Sequence, residues 1–501
     1  MFCSIHTCSV SGMLGIPTLA ETTLYNGLPY FYLVGLPDNI VRESKERIRS
    51  AVHSSGLTFP SSRITVNLAP AHLKKVGSGF DFPIAMSILC AEGLLPYGPD
   101  SLLARSLLIG ELSLNGELRP VSGALLMTRC AIQEKMDRIV LPADNVPEAS
   151  MLSGIDIIGI HTLSEAVDYF CRRIQIPPAP HRRLSPCRYD VRSLTSLQGQ
   201  PLTLRILSIA AAGLHSLLLW GPPGTGKTMA AQGLLSLLPP PSSEELLETA
   251  FIYNSINLPI LPHRPFRSPH HTVSPYALIG GGVPIHPGEV SLAHHGILFL
   301  DELPEFSRSA LEALRQPLED LKVHISRVQQ SVSFPADFLL VSSMNPCPCG
   351  FYPDRTRCTC SLSQVQNYQR RIRGPLLDRI DLEMKMDPPG YDALVPTPET
   401  DLTSLLSHIQ RAHALQSARY AALPFSYNSR IPPELIDRFC PLDTDGQNLM
   451  RNAYEYYQLS VRSYHRILKV ARTIADLAGE ERILTNHLQE ALQMRFSVRF
   501  Q

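Results

Sequence analysis

Short apolar runs recur along the chain in two rhythms, one suited to strands and one to helices. "RITVNLAP" (Arg63 to Pro70) and "RIVLP" (Arg138 to Pro142) have the length and β-branched content of strands, and they alternate with helix-like stretches such as "PIAMSILCAEGLL" (Pro83 to Leu95). Further on, the continuous runs Leu217 to Trp220, Ile297 to Leu300 and Phe338 to Val341 predict buried strands. "SALEALRQPLEDL" (Ser309 to Leu321) is helix-like, and the period-two character of "KVHISRVQQSVSFPAD" (Lys322 to Asp337) predicts a hairpin. The last hundred or so residues are mostly helical by spacing, as in "RILKVARTIADLA" (Arg466 to Ala478). Two proline-rich stretches, "IQIPPAPHRRLSPCRYD" (Ile174 to Asp190) and "DPPGYDALVPTPETD" (Asp387 to Asp401), resist both helix interiors and central strands. The chain therefore divides into an α/β segment at 1–175, a linker at 176–190, a second α/β segment at 191–390 and a helical segment at 400–501.

At 501 residues there is room for several full cores, and 44% hydrophobic with 18% charged residues is ordinary for a soluble globular protein. Lys and Arg balance Asp and Glu at 45 each, which argues against a protein that coats nucleic acid by bulk charge but leaves room for a local basic channel. No uninterrupted apolar run reaches ~18 residues, and "MFCSIHTCSV" lacks a basic flank followed by an apolar core. The expectation is a chain neither secreted nor membrane-spanning. Of its 11 cysteines, Cys3, Cys8, Cys90, Cys130, Cys171, Cys187 and Cys440 are scattered, which fits a reduced, cytoplasmic setting.

The second segment carries the strongest chemical signal. "LLLWGPPGTGKTMAAQGLLSLL" sets a strand before Gly221, Pro222, Pro223, Gly224, Thr225, Gly226, Lys227 and Thr228, with a helix following. This is a P-loop in its required context: the glycines let backbone N–H groups wrap a phosphate, Lys227 reaches the β- and γ-phosphates of ATP, and Thr228 ligates Mg²⁺. In "HHGILFLDELPEF", Asp301 and Glu302 follow a buried strand, where Asp301 would hold the Mg²⁺ hydration shell and Glu302 would polarise the attacking water. The run "DFLLVSSMN" delivers Asn345 to the same edge, where it would position water or act simply as a turn residue.

These motifs, with "FRSPHHTVSPYALIGGG" (Phe266 to Gly282), "PGEVSLAHHGILFLDELPEF" and "GPLLDRIDL", closely resemble the ComM/YifB family of magnesium-chelatase-like AAA+ ATPases across essentially the whole chain. The resemblance implies a central AAA+ P-loop α/β domain, a C-terminal helical lid, and a homo-oligomeric ring, usually a hexamer, with ATP bound between neighbours. By the same resemblance Asn345 looks like sensor 1 and Arg379 like the arginine finger offered to a neighbour. Arg462 is similar to sensor 2, with Arg466 one helical turn on as a competitor. The activity implied is ATP-driven branch migration or helicase action on single-stranded or branched DNA, in homologous recombination and natural transformation. A chelatase-type or protein-remodelling ATPase is the alternative.

The first segment, through "GSGFDFPIAMSILCAEGLLP" and "IGELSLNGELRPVSGALLMTRCAIQEKMDRIVLP", resembles the proteolytic domain of Lon, a ribosomal-S5-domain-2-like α/β fold with a Ser–Lys dyad. Alignment on "DFPIA" puts Gly79 at the nucleophile's position, with Ser78 one residue early, and Leu125 where the lysine base belongs. Leucine cannot take a proton, so a non-proteolytic domain used for assembly or DNA contact is expected. Lys74, Lys75 and Arg63 are candidates for a phosphate-facing surface, or are simply solvated.

Cys347, Cys349, Cys358 and Cys360 form two Cys-x-Cys pairs that can close a tetrahedral structural Zn²⁺ site, each pair one residue tighter than the commoner Cys-x-x-Cys. Disulfides, redox-labile thiols and plain free cysteines are the alternatives. If His270/His271 and His294/His295 lie on strands, the rings of each pair point to opposite faces, which disfavours joint chelation; polar contacts in a nucleotide-responsive or pore-facing insertion are expected instead. Lys322 and Arg327, on the hairpin, are candidates for touching a DNA backbone within a ring channel, an ordinary exposed hairpin being the alternative.

Overall fold

The strand-like runs of the first segment assemble into a seven-stranded mixed sheet in a computed structural model that describes residues 2–72, 75, 77–187, 200–282, 285–327, 330–372, 376–388 and 402–495. Strands β1 (Phe2–Ser11) and β2 (Leu14–Tyr25) form an antiparallel hairpin, and β3 (Tyr30–Val34) and β4 (Arg63–Ala69) extend the sheet beyond β2. On the other side β5 (Ser106–Leu108), β8 (Arg138–Pro142) and β9 (Asp156–Ile160) add in parallel, while β6 (Glu111–Leu112) and β7 (Leu118–Arg119) make a separate small ladder. Every residue of the helix Asp81–Ala91 is buried, which explains why its sequence is apolar on all sides.

The chain divides into two compact units, and the first is not continuous in sequence: it comprises Met1–Ser185, Ser243–Ile260 and Ser326–Ser333. The helix Ser243–Ser255, from inside the second α/β segment, packs its Ala250 and Phe251 with Leu125 and Leu126 of the helix Ala124–Gln133. The Arg129 guanidinium lies 4.1 Å from the Phe251 ring centre, and Asn254 Oδ1 accepts the Leu125 backbone N–H at 3.1 Å. A polar anchor and an apolar seam together join this helix to the helix Ala124–Gln133, more than a hundred positions earlier in the chain.

The second unit comprises Pro186–Ser242, Leu261–Ile325 and Phe334–Gln501. Its sheet is built from β10 (Leu217–Trp220), β11 (Phe266–Arg267), β14 (Ile297–Leu300), β17 (Leu339–Met344) and β18 (Leu382–Lys385), in the order β11-β14-β17-β10-β18 with every pairing parallel. β10, β14 and β17 are buried throughout, as unbroken apolar runs require. Small ladders join β12 (Gly280–Gly281) to β13 (His286–Pro287) and β15 (Lys322–Arg327) to β16 (Gln330–Pro335), the latter being the hairpin. The helix-like stretch Ser309 to Leu321 is two helices, Arg308–Ala313 and Arg315–Asp320, not one. Pro317 has no N–H to give the Ala313 carbonyl, and its ring would crowd that carbonyl in a continuous helix.

Helices Leu402–Arg419, Thr444–Tyr457, Val461–Ala478 and Thr485–Arg495 form the C-terminal part, and Ile409, Met450, Ile467 and Leu488 share one core with Leu217 and Leu219 of β10. A polar lock reinforces that core. Asp381 accepts from His215 Nδ1 at 3.3 Å, from the Ser216 backbone N–H at 3.2 Å and from the Arg466 guanidinium, while His215 Nε2 meets Thr473 Oγ1 at 2.8 Å. Burial alone would raise the Asp381 carboxyl, but Arg466 and His215 hold it well below the carboxylate range. A depressed folded value means that the stabilisation is present above the unfolded value of about 3.9 and is lost as pH falls below it. Asp381→Asn should therefore cost on the order of 3–5 kcal/mol, because Arg466 is left without its counter-charge, and should flatten the acid limb of the stability profile. Denaturant unfolding between pH 7 and pH 3 measures both, and an unchanged acid limb would refute the assignment.

Candidate nucleotide site

The P-loop turns where its glycines allow. Gly224 and Gly226 have φ of +79° and +84°, in the left-handed region, and Gly226 caps the helix Lys227–Leu237 at its N-terminus. Gly221 is needed for a different reason: a Cβ there would lie 2.1 Å from the Met386 carbonyl oxygen at the end of β18. Thr225 Oγ1 donates to the Pro222 carbonyl at 3.0 Å and pins the loop, while Thr228 is exposed at the helix start. Lys227 Nζ donates to the carbonyls of Gly221 and Pro222, each at 2.8 Å, and to Asn345 Oδ1 at 3.2 Å. Burial lowers the Lys227 ammonium's pKa, and the nearby Asp301 and Glu302 carboxylates oppose that shift.

Register explains why these groups meet. Trp220 pairs with Met344, so the P-loop and Asn345 leave adjacent parallel strands side by side, and Leu300 pairs with Ser342, so Asp301 follows on the next strand. Ser343, which the sequence reading passed over, donates its hydroxyl to Asp301 Oδ1 and accepts the Glu302 backbone N–H at 3.3 Å. Its signal was there: a serine two residues before Asn345 shares its face of the strand. Glu302 has φ +53°, a strained value for a non-glycine residue, and its carboxylate lies 3.4 Å from His271 Nδ1. Backbone N–H groups at a helix N-terminus, an ammonium, an exposed hydroxyl and a strand-end carboxylate fit a Mg²⁺–nucleoside triphosphate in charge and donor chemistry.

The two expected arginines lie together on another carboxylate. Arg379, at the end of the 3₁₀ turn Leu377–Arg379, is only 8% exposed and pairs with Glu319 Oε1 at 2.6 Å. Arg462, half exposed at the start of the helix Val461–Ala478, reaches the same oxygen at 2.9 Å. Arg466 points elsewhere, to Asp381 and to the Arg379 carbonyl, so the two candidate arginines of this helix have different partners. Glu319 was not singled out from sequence, since nothing in its spacing links it to Arg379.

The remaining candidates fall as follows. Cys347, Cys349, Cys358 and Cys360 converge, their Sγ atoms all within 4.8 Å of one another. The Phe351 backbone N–H brings the Cys349 thiol down to about 6. Neither histidine pair lies on a strand, which corrects the expectation of opposed faces: both sit in loops or turns, with ring centres 4.1 Å apart for His270/His271 and 3.8 Å for His294/His295. In the first unit Ser78 donates to the Glu111 carboxylate, Gly79 lies beside Val121, and Leu125 is fully buried. Lys75 does not face a phosphate or solvent. It is 1% exposed and donates to the Pro70 carbonyl, whereas Arg63 is exposed over the Tyr32 ring; Lys74 lies outside the described residues. On the hairpin Lys322 is exposed, and the Arg327 side chain lies outside the described residues.

With this geometry in place, comparison with known proteins is decisive. The family model described as "Magnesium chelatase, subunit ChlI" matches residues 193–394, "Subunit ChlI of Mg-chelatase" matches 20–145, and "Magnesium chelatase, subunit ChlI C-terminal" matches 401–495. Competence protein ComM of Haemophilus influenzae is 41% identical over 489 residues, covering 96% of this chain and 94% of ComM. The chain belongs to the ComM/YifB family of magnesium-chelatase-like AAA+ proteins. YifB of Salmonella typhimurium is 39% identical over 504 residues, 98% of this chain and 96% of YifB. Rv2897c of Mycobacterium tuberculosis is 37% identical, with 97% of each chain covered. The parallel sheet and C-terminal helices accord with this family's AAA+ fold. Among the described residues no helix is long and apolar enough to cross a membrane.

Proposed function

We propose that this ComM/YifB-family protein is an ATP-hydrolysing ring motor that acts on DNA in the cytoplasm, with branch-migration or helicase activity in homologous recombination and natural transformation. The observation that carries the ATP half is Lys227 held between the P-loop carbonyls and Asn345, with Asp301 and Glu302 at the end of the strand that neighbours Asn345's own. The DNA half is supported by the likeness to a relative named as a competence protein.

Each residue has a role in this scheme. Backbone N–H groups from Gly224 to Thr228 bind the phosphates, and Lys227 leaves its carbonyl partners for the β- and γ-oxygens. Thr228 and Asp301 hold Mg²⁺, with Ser343 orienting the Asp301 carboxylate. When bound, Mg²⁺ neutralises charge on the phosphates. Glu302 takes the proton of the attacking water, Asn345 orients that water, and Arg379 and Arg462 act on nucleotide at a subunit boundary, in a ring of six. The four cysteines hold one structural zinc ion, and the first unit is non-proteolytic because Leu125 stands where a base is needed.

A chelatase-type or remodelling ATPase is the second reading, favoured by the magnesium-chelatase descriptions of all three matching family models. Branched DNA separates the two. A DNA motor should hydrolyse ATP several-fold faster with a four-way junction, and the stimulation should fall steeply with salt because phosphate contacts release counterions. Flat ATPase rates with junction, single strand and duplex at low salt would rule out the DNA motor.

A further inference from the structure

We infer that the zinc loop closed by Cys347, Cys349, Cys358 and Cys360 is a brace that fixes sensor Asn345 and the P-loop against each other. The inference rests on the assignment of Lys227 and Asn345 to the ATP site.

The thiols first. Sγ–Sγ separations are 3.3 Å for Cys347–Cys349, 3.5 Å for Cys349–Cys358 and 3.8 Å for Cys347–Cys358. A tetrahedral zinc with Zn–S bonds of about 2.3 Å sets its sulfurs ~3.8 Å apart, and a disulfide needs ~2.05 Å. The cluster has the spacing of a shared centre, with soft donors that select zinc over hard cations.

The loop has no core of its own. From Phe351 to Ser361 no residue is buried, so apolar packing does not fix this stretch. Yet its beginning sits in close contact with the catalytic loop. A Cβ on Gly350 would lie 2.7 Å from Pro223 Cδ and 3.9 Å from Asn345 Cγ, and Gly350 has φ +87°. The Gly350 N–H donates to the Cys347 carbonyl at 3.0 Å, and the Tyr352 N–H to Cys347 Sγ at 3.4 Å. Gln369 holds the Pro346 carbonyl at 2.9 Å from behind.

These contacts form one mechanical path. Asn345, the residue that touches Lys227, is two residues before the first ligand, and Gly350, against Pro223, is one residue after the second. Metal binding orders a loop that cannot order itself, and so sets both contacts at once. The cysteines and Gly350 are positioning residues, since none of them touches the reacting groups.

The test compares three full-length proteins: wild type, Cys358→Ser with Cys360→Ser, and Gly350→Ala. Metal analysis should find one zinc per chain in wild type and in Gly350→Ala, and little in the double variant. Both variants should still bind a fluorescent ATP analogue within a few-fold of wild type, while kcat falls by about ten- to a hundredfold, the cost of sub-ångström to 1 Å misplacement. Gly350→Ala keeps the proposal falsifiable where loss of zinc simply unfolds the loop. Wild-type protein with iron or with four freely titratable thiols overturns the metal. Zinc present with kcat unchanged in Gly350→Ala overturns the brace. Failure of the underlying site assignment looks different: Lys227→Ala would then turn over ATP normally.

Discussion

Lys227→Ala is expected to abolish ATP binding, while Glu302→Gln keeps binding and loses about 10²–10⁴-fold in hydrolysis, the range for removal of a general base. The two differ because of what each side chain touches. Lys227 Nζ lies among the Gly221 and Pro222 carbonyls and Asn345 Oδ1, at the start of the P-loop helix, so its loss removes the positive charge from where the proposed function puts the β- and γ-phosphates. Glu302 projects from the next strand but one and is half exposed beside His271, well placed for water and not for phosphate. Its amide replacement preserves shape and cannot accept a proton. Ser343 and Asp301 remain, so Mg²⁺ coordination should survive in Glu302→Gln. Analogue binding by fluorescence and phosphate release at saturating ATP separate the two variants; normal turnover in both would dismiss the site.

Arg379→Ala should bind ATP through an intact Lys227 and yet lose hydrolysis by about 10³–10⁵-fold, the effect of an arginine finger. In the single chain this guanidinium is buried against Glu319, which Arg462 shares. For Arg379 to serve a neighbour, a phosphate oxygen has to take the place of the Glu319 carboxylate, and a planar guanidinium binds either with similar geometry. Mixing Arg379→Ala with inactive Lys227→Ala should restore part of the turnover, since an unaltered P-loop on one subunit then faces an unaltered finger on another. A mixture that forms hetero-oligomers but stays inactive would leave Arg379 as the structural partner of Glu319. Asp381, two residues on, is taken by Arg466 and His215.

What could be read from sequence follows from range. The P-loop, Asp301–Glu302 and Asn345 are each set by residues within a few positions, and strand register does the rest, so local spacing was enough to place them together. Glu319 is not legible in that way, since it meets Arg379 across 60 positions with no shared period. Lys75 misleads for the opposite reason. A lysine is expected in water, but here the chain folds a carbonyl over its ammonium. The histidine pairs sit in the loops and turns beside strands rather than on them, so the alternation of faces along a strand does not apply to their rings. Pro317 shows a local rule overriding a periodic one, because apolar spacing continued through a residue that a helix tolerates in its first turn but not in its interior.

The interrupted first unit bears on how the chain is made. A ribosome delivers about 5–20 residues each second, so Ser185 leaves it several seconds before Ile260 does. During that interval Leu125 and Leu126 await the Ala250–Phe251 face that will cover them. A nascent chain with this wiring cannot complete its leading unit before much of the next has been synthesised, and it carries an uncovered apolar seam throughout. Holdase chaperones that favour such seams have their opening then, and a gene truncated at the proline-rich stretch would leave the seam uncovered for good.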